Sequence, residues 1–223
     1  MLFWLRSKNQ SCLIKMETNY KPVIRALGIK EADYNAAAKE AVEINSYVSS
    51  KIGGRQFWQV SAEELTFIYS ITKTFKPLNI VEIGVGPGTT SFAFLSALDK
   101  SGGRLHSFDL GQKYGEEEKG ESIGFVVPEN MRSRWNITYG DSKLTLQKGL
   151  AKIGRVDIFF HDSEHTNEHV AFELDSVLPY LAGRSLILID NYDWTEAPKQ
   201  FASKTKMTLT HVVDDLCAVY RET

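Results

Sequence analysis

Apolar residues along this chain fall into two alternating rhythms. Short aliphatic or β-branched runs occur at Leu78-Asn79-Ile80-Val81, Arg104–Phe108, Asn136–Tyr139, Val156–Phe160 and Ser185–Ile189. They are too short for helices and read as buried strands. Between them apolar residues recur at helical spacing: Ser91–Leu98, a helix through Leu144, Leu146 and Leu150, and Val170–Leu181, which Gly183 stops. A helical segment near Ala197–Lys204 precedes two late strands, Met207–Val213 and Leu216–Tyr220, joined by a hairpin turn at Asp214-Asp215. Strands that alternate with helices predict an α/β fold: a seven-stranded, mostly parallel sheet covered by helices on both faces. The closing hairpin makes the last strand antiparallel.

The N-terminal part reads differently. Residues 1–30 show no clear period. Glu31 to about Lys51 is rich in helix formers and ends at Ile52-Gly53-Gly54. An aromatic-rich loop, Arg55–Val60, is a candidate for ligand contact. Ser61-Ala62-Glu63-Glu64 is a capping box opening the helix Leu65–Phe75. Residues 1–55 are therefore expected to form a helical extension, and residues 56–223 the main domain. Pro128–Trp135 is expected to form a short helix. The charged stretch Gly111–Gly120 has no apolar face and reads as a solvated loop, a candidate lid.

Bulk properties narrow the function classes. A net charge of −2 advertises neither a nucleic-acid nor a membrane partner. Cys12 and Cys217 have no metal or redox spacing and read as free thiols. The apolar start Met1–Leu5 is cut off by Arg6 and Lys8, too short for a signal or a span. A cytoplasmic protein is expected.

The candidate chemistry lies where strands end, since ligands of open α/β sheets bind at the carboxyl ends of the strands. Glu82, Gly84, Gly86, Gly88 and Ser91 fall at a strand-to-helix turn, where a ligand can lie against bare backbone and face a helix start. Asp109 closes the next strand, about 20 residues past the glycines, where an acid can accept both hydroxyls of a ribose. The spacing G-x-G-x-G behind an acid suits a zwitterionic nucleoside better than a dinucleotide, whose phosphates Glu82 would repel. Asp141 and Ser142 open a helix; Asp141 is a good N-cap, and either residue could also touch an adenine.

A second constellation follows. Asp162 ends one strand and Asp190-Asn191 the next. On neighbouring strands these supply three hard oxygen donors suited to Mg²⁺, which could hold a substrate hydroxyl and lower its pKa. Glu164 and His165 follow Asp162 closely enough to act as the base. His161 could line the cofactor pocket. His169 reads as a surface residue of a first helical turn. Each acid also has an ordinary reading as a cap or ion-pair partner.

The glycine stretch Val81–Ser91 resembles the first motif of class I S-adenosylmethionine-dependent methyltransferases. The runs Phe160–His165 and Ile189–Tyr192 resemble the I-D-G-D-H and D-D-Y patterns of the family 24 type, and Asp162, Asp190 and Asn191 the metal triad of the cation-dependent O-methyltransferases of catechol and caffeoyl-CoA type. The resemblance covers about residues 61–195. It implies a Rossmann-like fold binding S-adenosyl-L-methionine, with Glu82, Gly84, Gly86 and Ser91 beside the methionine part, Asp109 at the ribose, and Asp141 and Ser142 near the adenine. It implies Mg²⁺ and O-methylation of a small-molecule hydroxyl, sugar or phenolic. The base of the catechol type corresponds to His165, and that of the sugar type to Glu164, so both remain candidates. Related enzymes are often dimers, which leaves room for a homodimer. Two rival readings stand beside this one: an NAD-dependent dehydrogenase, against which Glu82 argues, and a non-catalytic S-adenosylmethionine-binding module.

Overall fold

The computed structural model of the chain describes residues 19–55, 57, 59–98, 102–111 and 122–222. The expectations for residues 1–18 and for the charged stretch beyond Gly111 lie outside the described residues. Seven strands form one sheet: β1 (Asn79–Ile83), β2 (Arg104–Asp109), β3 (Trp135–Tyr139), β4 (Val156–His161), β5 (Leu181–Ile189), β6 (Thr208–Val213) and β7 (Leu216–Tyr220). Their order is β3-β2-β1-β4-β5-β7-β6. All pairs through β5 are parallel, and β7 runs antiparallel between β5 and β6.

The helices are α1 (Lys21–Ala26), α2 (Glu31–Ile52), α3 (Ala62–Phe75), α4 (Thr89–Ala97), α5 (Ser142–Ile153), α6 (Asn167–Val177) and α7 (Ala197–Thr205). Side chains alternate across a strand, and the core divides accordingly. Ile80, Leu105, Ile158, Phe160, Leu186 and Leu188 pack on one face with α1–α4. Val81, Ile83, Phe108, Phe159, Ile187 and Ile189 pack on the other with α5–α7. No helix among the described residues is long and apolar enough to cross a membrane.

Local chemistry sets most boundaries. Gly53 ends α2 in the left-handed conformation, φ 62°, and Ser61 with Glu64 closes a reciprocal capping box on α3. Asp157, buried at the start of β4, accepts the backbone N–H groups of Leu78 (2.9 Å) and Asn79 (3.0 Å) and so ties β1 to β4. Two boundaries differ from expectation. The helix expected over Val170–Leu181 begins at Asn167, capped by Thr166, and stops at Val177. Pro179 follows in a 3₁₀ turn, Leu178–Tyr180, so β5 starts at Leu181 and Gly183 lies inside the strand rather than ending the helix. The segment Pro128–Trp135 is a 3₁₀ turn, Glu129–Arg134, leading directly into β3.

The register delivers the site. Ile83 lies abreast of Phe108 on one side and His161 on the other, and His161 abreast of Ile189. The ladder continues one step past the strands: Gly84 N–H donates to Phe108 O (2.9 Å), Asp162 N–H to Ile83 O (2.9 Å) and Asp190 N–H to His161 O (3.0 Å). Asp109, Gly84, Asp162 and Asp190 therefore stand in one row at the carboxyl edge. Gly84 has φ 86°, and a methyl group built on it would lie 1.8 Å from the carbonyl oxygen of Asp162. The missing side chain is what lets the end of β4 close on β1. Gly84→Ala should lower stability by about 2–5 kcal/mol, from left-handed strain plus overpacking; urea unfolding measures it, and a loss under about 1 kcal/mol would contradict this packing.

Candidate active site

The glycine turn is held from below by an acid. Glu82 is fully buried and accepts the hydroxyls of Thr90 (2.7 Å), Ser91 (2.6 Å) and Ser107 (2.6 Å). Burial pushes its pKa up to about 7, and the three hydroxyls oppose that rise. Expected beside the methionine part of a cofactor, Glu82 and Ser91 instead bind each other and anchor the first turn of α4 to β1. Asp109 is likewise turned inward: one oxygen accepts Val85 N–H (2.9 Å) and Gly86 N–H (3.4 Å), the other Gly111 N–H (2.7 Å). Gly84, Gly86 and Gly88 all have positive φ. Gly124 N–H and Val126 N–H donate to the carbonyls of Gly86 and Pro87, laying that segment against the turn. The donor set still fits S-adenosylmethionine. Gly88 offers the first turn of α4 no side-chain cap, which leaves backbone N–H groups for a ligand carboxylate, and Asp109 is a partly exposed acid at the strand end where a ribose is expected.

Asp141 caps α5 through Lys143 N–H (2.8 Å). Ser142 is buried, and its hydroxyl donates to Glu173 (2.7 Å). It belongs to a network that sequence reasoning missed. Glu173 on α6 is fully buried and also bonds His161 Nδ1 (2.6 Å), His169 Nε2 (2.8 Å) and Ser163 Oγ (3.2 Å). Burial alone would raise its pKa, but the hydrogen bonds and charges of His161 and His169 outweigh that and hold it at about 2. His161, expected to line the cofactor pocket, is fully buried on the α6 face of the sheet. His169, expected at the surface, is buried, because its position one turn before Glu173 puts both on the helix face that packs on α5. That spacing was the available signal for Glu173.

On the opposite face of the sheet the acids meet chiefly one another, Glu64 against Asp215 and Asp190 against Asp162. Asp190 is 8 % exposed, and its Oδ1 has no hydrogen bond. Burial, then the neighbouring carboxylates of Asp162, Glu64 and Asp215, push its pKa up to about 9. Ligand atoms of Asp162, His165 and Asp190 lie within 4.8 Å of one another, as do those of Glu64, Asp190 and Asp215. His165 Nε2 is 3.7 Å from Asp162 Oδ1, and its buried Nδ1 has no partner. Its ring stands edge-on to His161 and Trp194. Glu164 is exposed and turned away, bonding Thr166 Oγ1 (2.9 Å) and lying 3.6 Å from His169 Nδ1. Asn191 takes a left-handed conformation, φ 47°, and its amide donates to Asp215 Oδ2 (2.6 Å). The structure thus brings Asp162, His165 and Asp190 together, joins the neighbouring Asn191 to Asp215, and leaves Glu164 outside. Unbalanced buried carboxylates and an orphaned imidazole nitrogen are the donor chemistry a divalent cation needs.

Beside this ledge opens a cavity of about 570 Å³, lined among others by Asn45, Phe57, Gln59, Ser61, Glu64 and Asp215. The loop Arg55–Val60, singled out in the sequence, supplies part of its wall. A family model described as a methyltransferase domain, family 24, matches residues 81–192, half of the chain. The protein belongs to this family of class I S-adenosylmethionine-dependent methyltransferases. Among curated proteins none matches the chain. Solved structures share the fold. The O-methyltransferase NovP is similar at TM-score 0.63 and 15 % identity, over 84 % of this chain and 100 % of that one. A methyltransferase from Geobacter sulfurreducens is similar at TM-score 0.58 and 18 % identity, over 82 % and 90 %. An O-methyltransferase from Bacillus cereus, solved with S-adenosylhomocysteine, is similar at TM-score 0.56 and 17 % identity, over 94 % and 100 %.

The buried acids carry a pH signature. Asp190, Glu64 and Glu82 have raised pKa values, to about 9, 8 and 7. In cation-free buffer the folded chain keeps protons that the unfolded chain releases in the ordinary carboxylate range, so stability falls as pH rises through that window, by up to about 1.4 kcal/mol per pH unit per group. Glu173, with a lowered pKa, contributes the opposite way, and its contribution is lost only as pH falls toward about 2. The Tm of the cation-free protein should therefore decline from about pH 5 to about pH 8; a flat or rising Tm across that interval would contradict the burial of these acids.

Proposed function

We propose that this protein transfers a methyl group from S-adenosylmethionine to a hydroxyl of a small molecule, with a divalent cation, Mg²⁺ by preference, held by Asp162, Asp190 and Asn191. The observation that carries this reading is the row Gly84–Asp162–Asp190: the glycine turn of the cofactor motif packs on the main chain of Asp162, whose carboxylate lies beside that of Asp190. S-adenosylmethionine supplies an electrophilic methyl on sulfur, and the cation lowers the pKa of the acceptor hydroxyl. The chain's own residues do the rest. Asp162 and Asp190 orient the acceptor oxygen, and the Asp215 carboxylate takes the Asn191 amide nitrogen, which leaves the amide oxygen as the group available to a cation. His165, rather than Glu164, takes the hydroxyl proton, because its imidazole lies on the ledge and Glu164 does not. The acceptor oxygen bonds to the methyl carbon, the carbon–sulfur bond breaks, and S-adenosylhomocysteine leaves. Catalysis rests on positioning and electrostatics, as in any in-line displacement.

The cavity beside the ledge supports a polyhydroxylated acceptor such as a sugar over a flat phenol, since Asn45, Ser49, Gln59 and Ser61 offer hydrogen bonds around a minor apolar lining. Two measurements test the reading. S-adenosylhomocysteine should raise the Tm by several degrees and NAD should not; the reverse would favour a dehydrogenase. Methyl transfer to a panel of sugars and catechols should fall at least tenfold with EDTA and in Asp162→Asn. Full activity after metal removal would defeat the metal assignment. Cofactor binding with no turnover on any acceptor would favour a binding module.

A further inference from the structure

Two of the ledge's acids, Glu64 and Asp215, lie outside the stretch that the family model matches, and with Asp190 they come from three separate elements. Glu64 opens α3, Asp190 ends β5, and Asp215 sits in the turn between β6 and β7. Antiparallel β7 begins where parallel β5 ends, with Ile189 paired to Cys217, so the turn before β7 falls on the carboxyl edge beside Asp190 and Asn191. We propose that Glu64, Asp190 and Asp215 form a second divalent-cation site, joined to the Asp162 side through Asp190 as the shared ligand. It meets the Proposed function at Asp190 and, through the Asn191 amide, at Asp215.

The distances fit one ion. Oxygens of the three carboxylates all lie within 4.8 Å of one another. Two ligands on opposite sides of Mg²⁺, Mn²⁺ or Ca²⁺ are about 4–5 Å apart, twice the metal–oxygen distance. The hydrogen bonding points the same way. Glu64 is 2 % exposed, and its two oxygens are treated unequally. Oε2 accepts Ser61 N–H (2.6 Å) in the capping box, whereas Oε1 is buried with no N–H or hydroxyl donor, the carboxyl group otherwise meeting only that of Asp215. Asp190 Oδ1 is in the same condition. A buried carboxylate oxygen left without a donor is strongly disfavoured. No lysine or arginine among the described residues pairs with Glu64, Asp190 or Asp215. An all-oxygen set selects a hard cation. The 570 Å³ cavity opens on Glu64 and Asp215, giving waters or an acceptor oxygen access to the remaining coordination positions. An ion there offsets most of the negative charge of the cavity wall and offers its open positions to acceptors that present paired oxygens.

The test counts ions. Full-length protein is stripped with EDTA and titrated with Mn²⁺ alone, bound Mn²⁺ being read by electron paramagnetic resonance. Wild type should bind two Mn²⁺ per chain. Glu64→Gln, which keeps an oxygen for the cap, and Asp215→Asn should each bind one, with the lost site weakened at least tenfold. Asp162→Asn should also bind one, and Asp190→Asn neither. Circular dichroism and Tm confirm that each variant is folded, and Glu64→Gln and Asp215→Asn report independently. One Mn²⁺ in wild type that Asp162→Asn removes, or two that survive both Glu64→Gln and Asp215→Asn, would overturn the second site. The methyl-transfer reading is judged separately: activity lost in Asp162→Asn with two wild-type ions supports both, and activity lost with a single wild-type ion sinks the second site alone.

Discussion

Adjacent parallel strands that end in carboxylates must place those carboxylates abreast, about 4.8 Å apart along the hydrogen-bond direction. Here β4 and β5 do so with Asp162 and Asp190, and no lysine or arginine among the described residues pairs with Asp190. Like charges that close, with Asp190 nearly out of water, cannot all ionise without a counter-charge. Everything else at the carboxyl edge follows from that constraint. Gly84 lets β4 approach the cofactor turn, and β7 brings a further acid to the same place. The strain of assembling this edge is the condition for binding a cation there.

The two faces of the sheet treat buried acids in opposite ways. Alternation along β4 sends His161 to the α6 face and Asp162 to the α3 face. Behind the edge, Glu173 is saturated by two histidines and two serines and held at about 2. In front, Asp190 keeps an unpartnered oxygen and is pushed up to about 9. Groups whose surroundings drive their pKa values apart mark where structure ends and chemistry begins. The Glu173 network fixes the tip of β4 from beneath, leaving the front free for ligands. Glu82 plays the same supporting part under the glycine turn.

The alternation of strands and helices, the seven strands and the row of strand ends were legible in the sequence because each depends on local periodicity and on which residue follows a strand. The partners of that row were not. Glu64 reads correctly as a capping residue, and nothing local shows that the other side of its carboxylate faces Asp215. Asp215 reads correctly as a hairpin turn; its position beside Asn191 depends on the insertion of β7 between β5 and β6, which no periodicity reports. Glu173 looked like one polar position on an amphipathic helix. Glu82, Ser91 and Ser142, read as cofactor contacts, spend their polar atoms on one another or on Glu173, because burial obliges a polar group to find a nearby partner. Pro179 shows the same limit on a smaller scale: the apolar spacing continued through it, but the helix could not.

The central claim is that the edge between β4 and β5 is a cation site adjoining the cofactor turn. A crystal structure of the full chain soaked with Mn²⁺ and S-adenosylhomocysteine, with anomalous difference maps at the manganese edge, tests it most directly. The account predicts an anomalous peak bonded to Asp162 and Asp190 next to the sulfur of the ligand. Well-ordered S-adenosylhomocysteine with no manganese peak at the two carboxylates would contradict it.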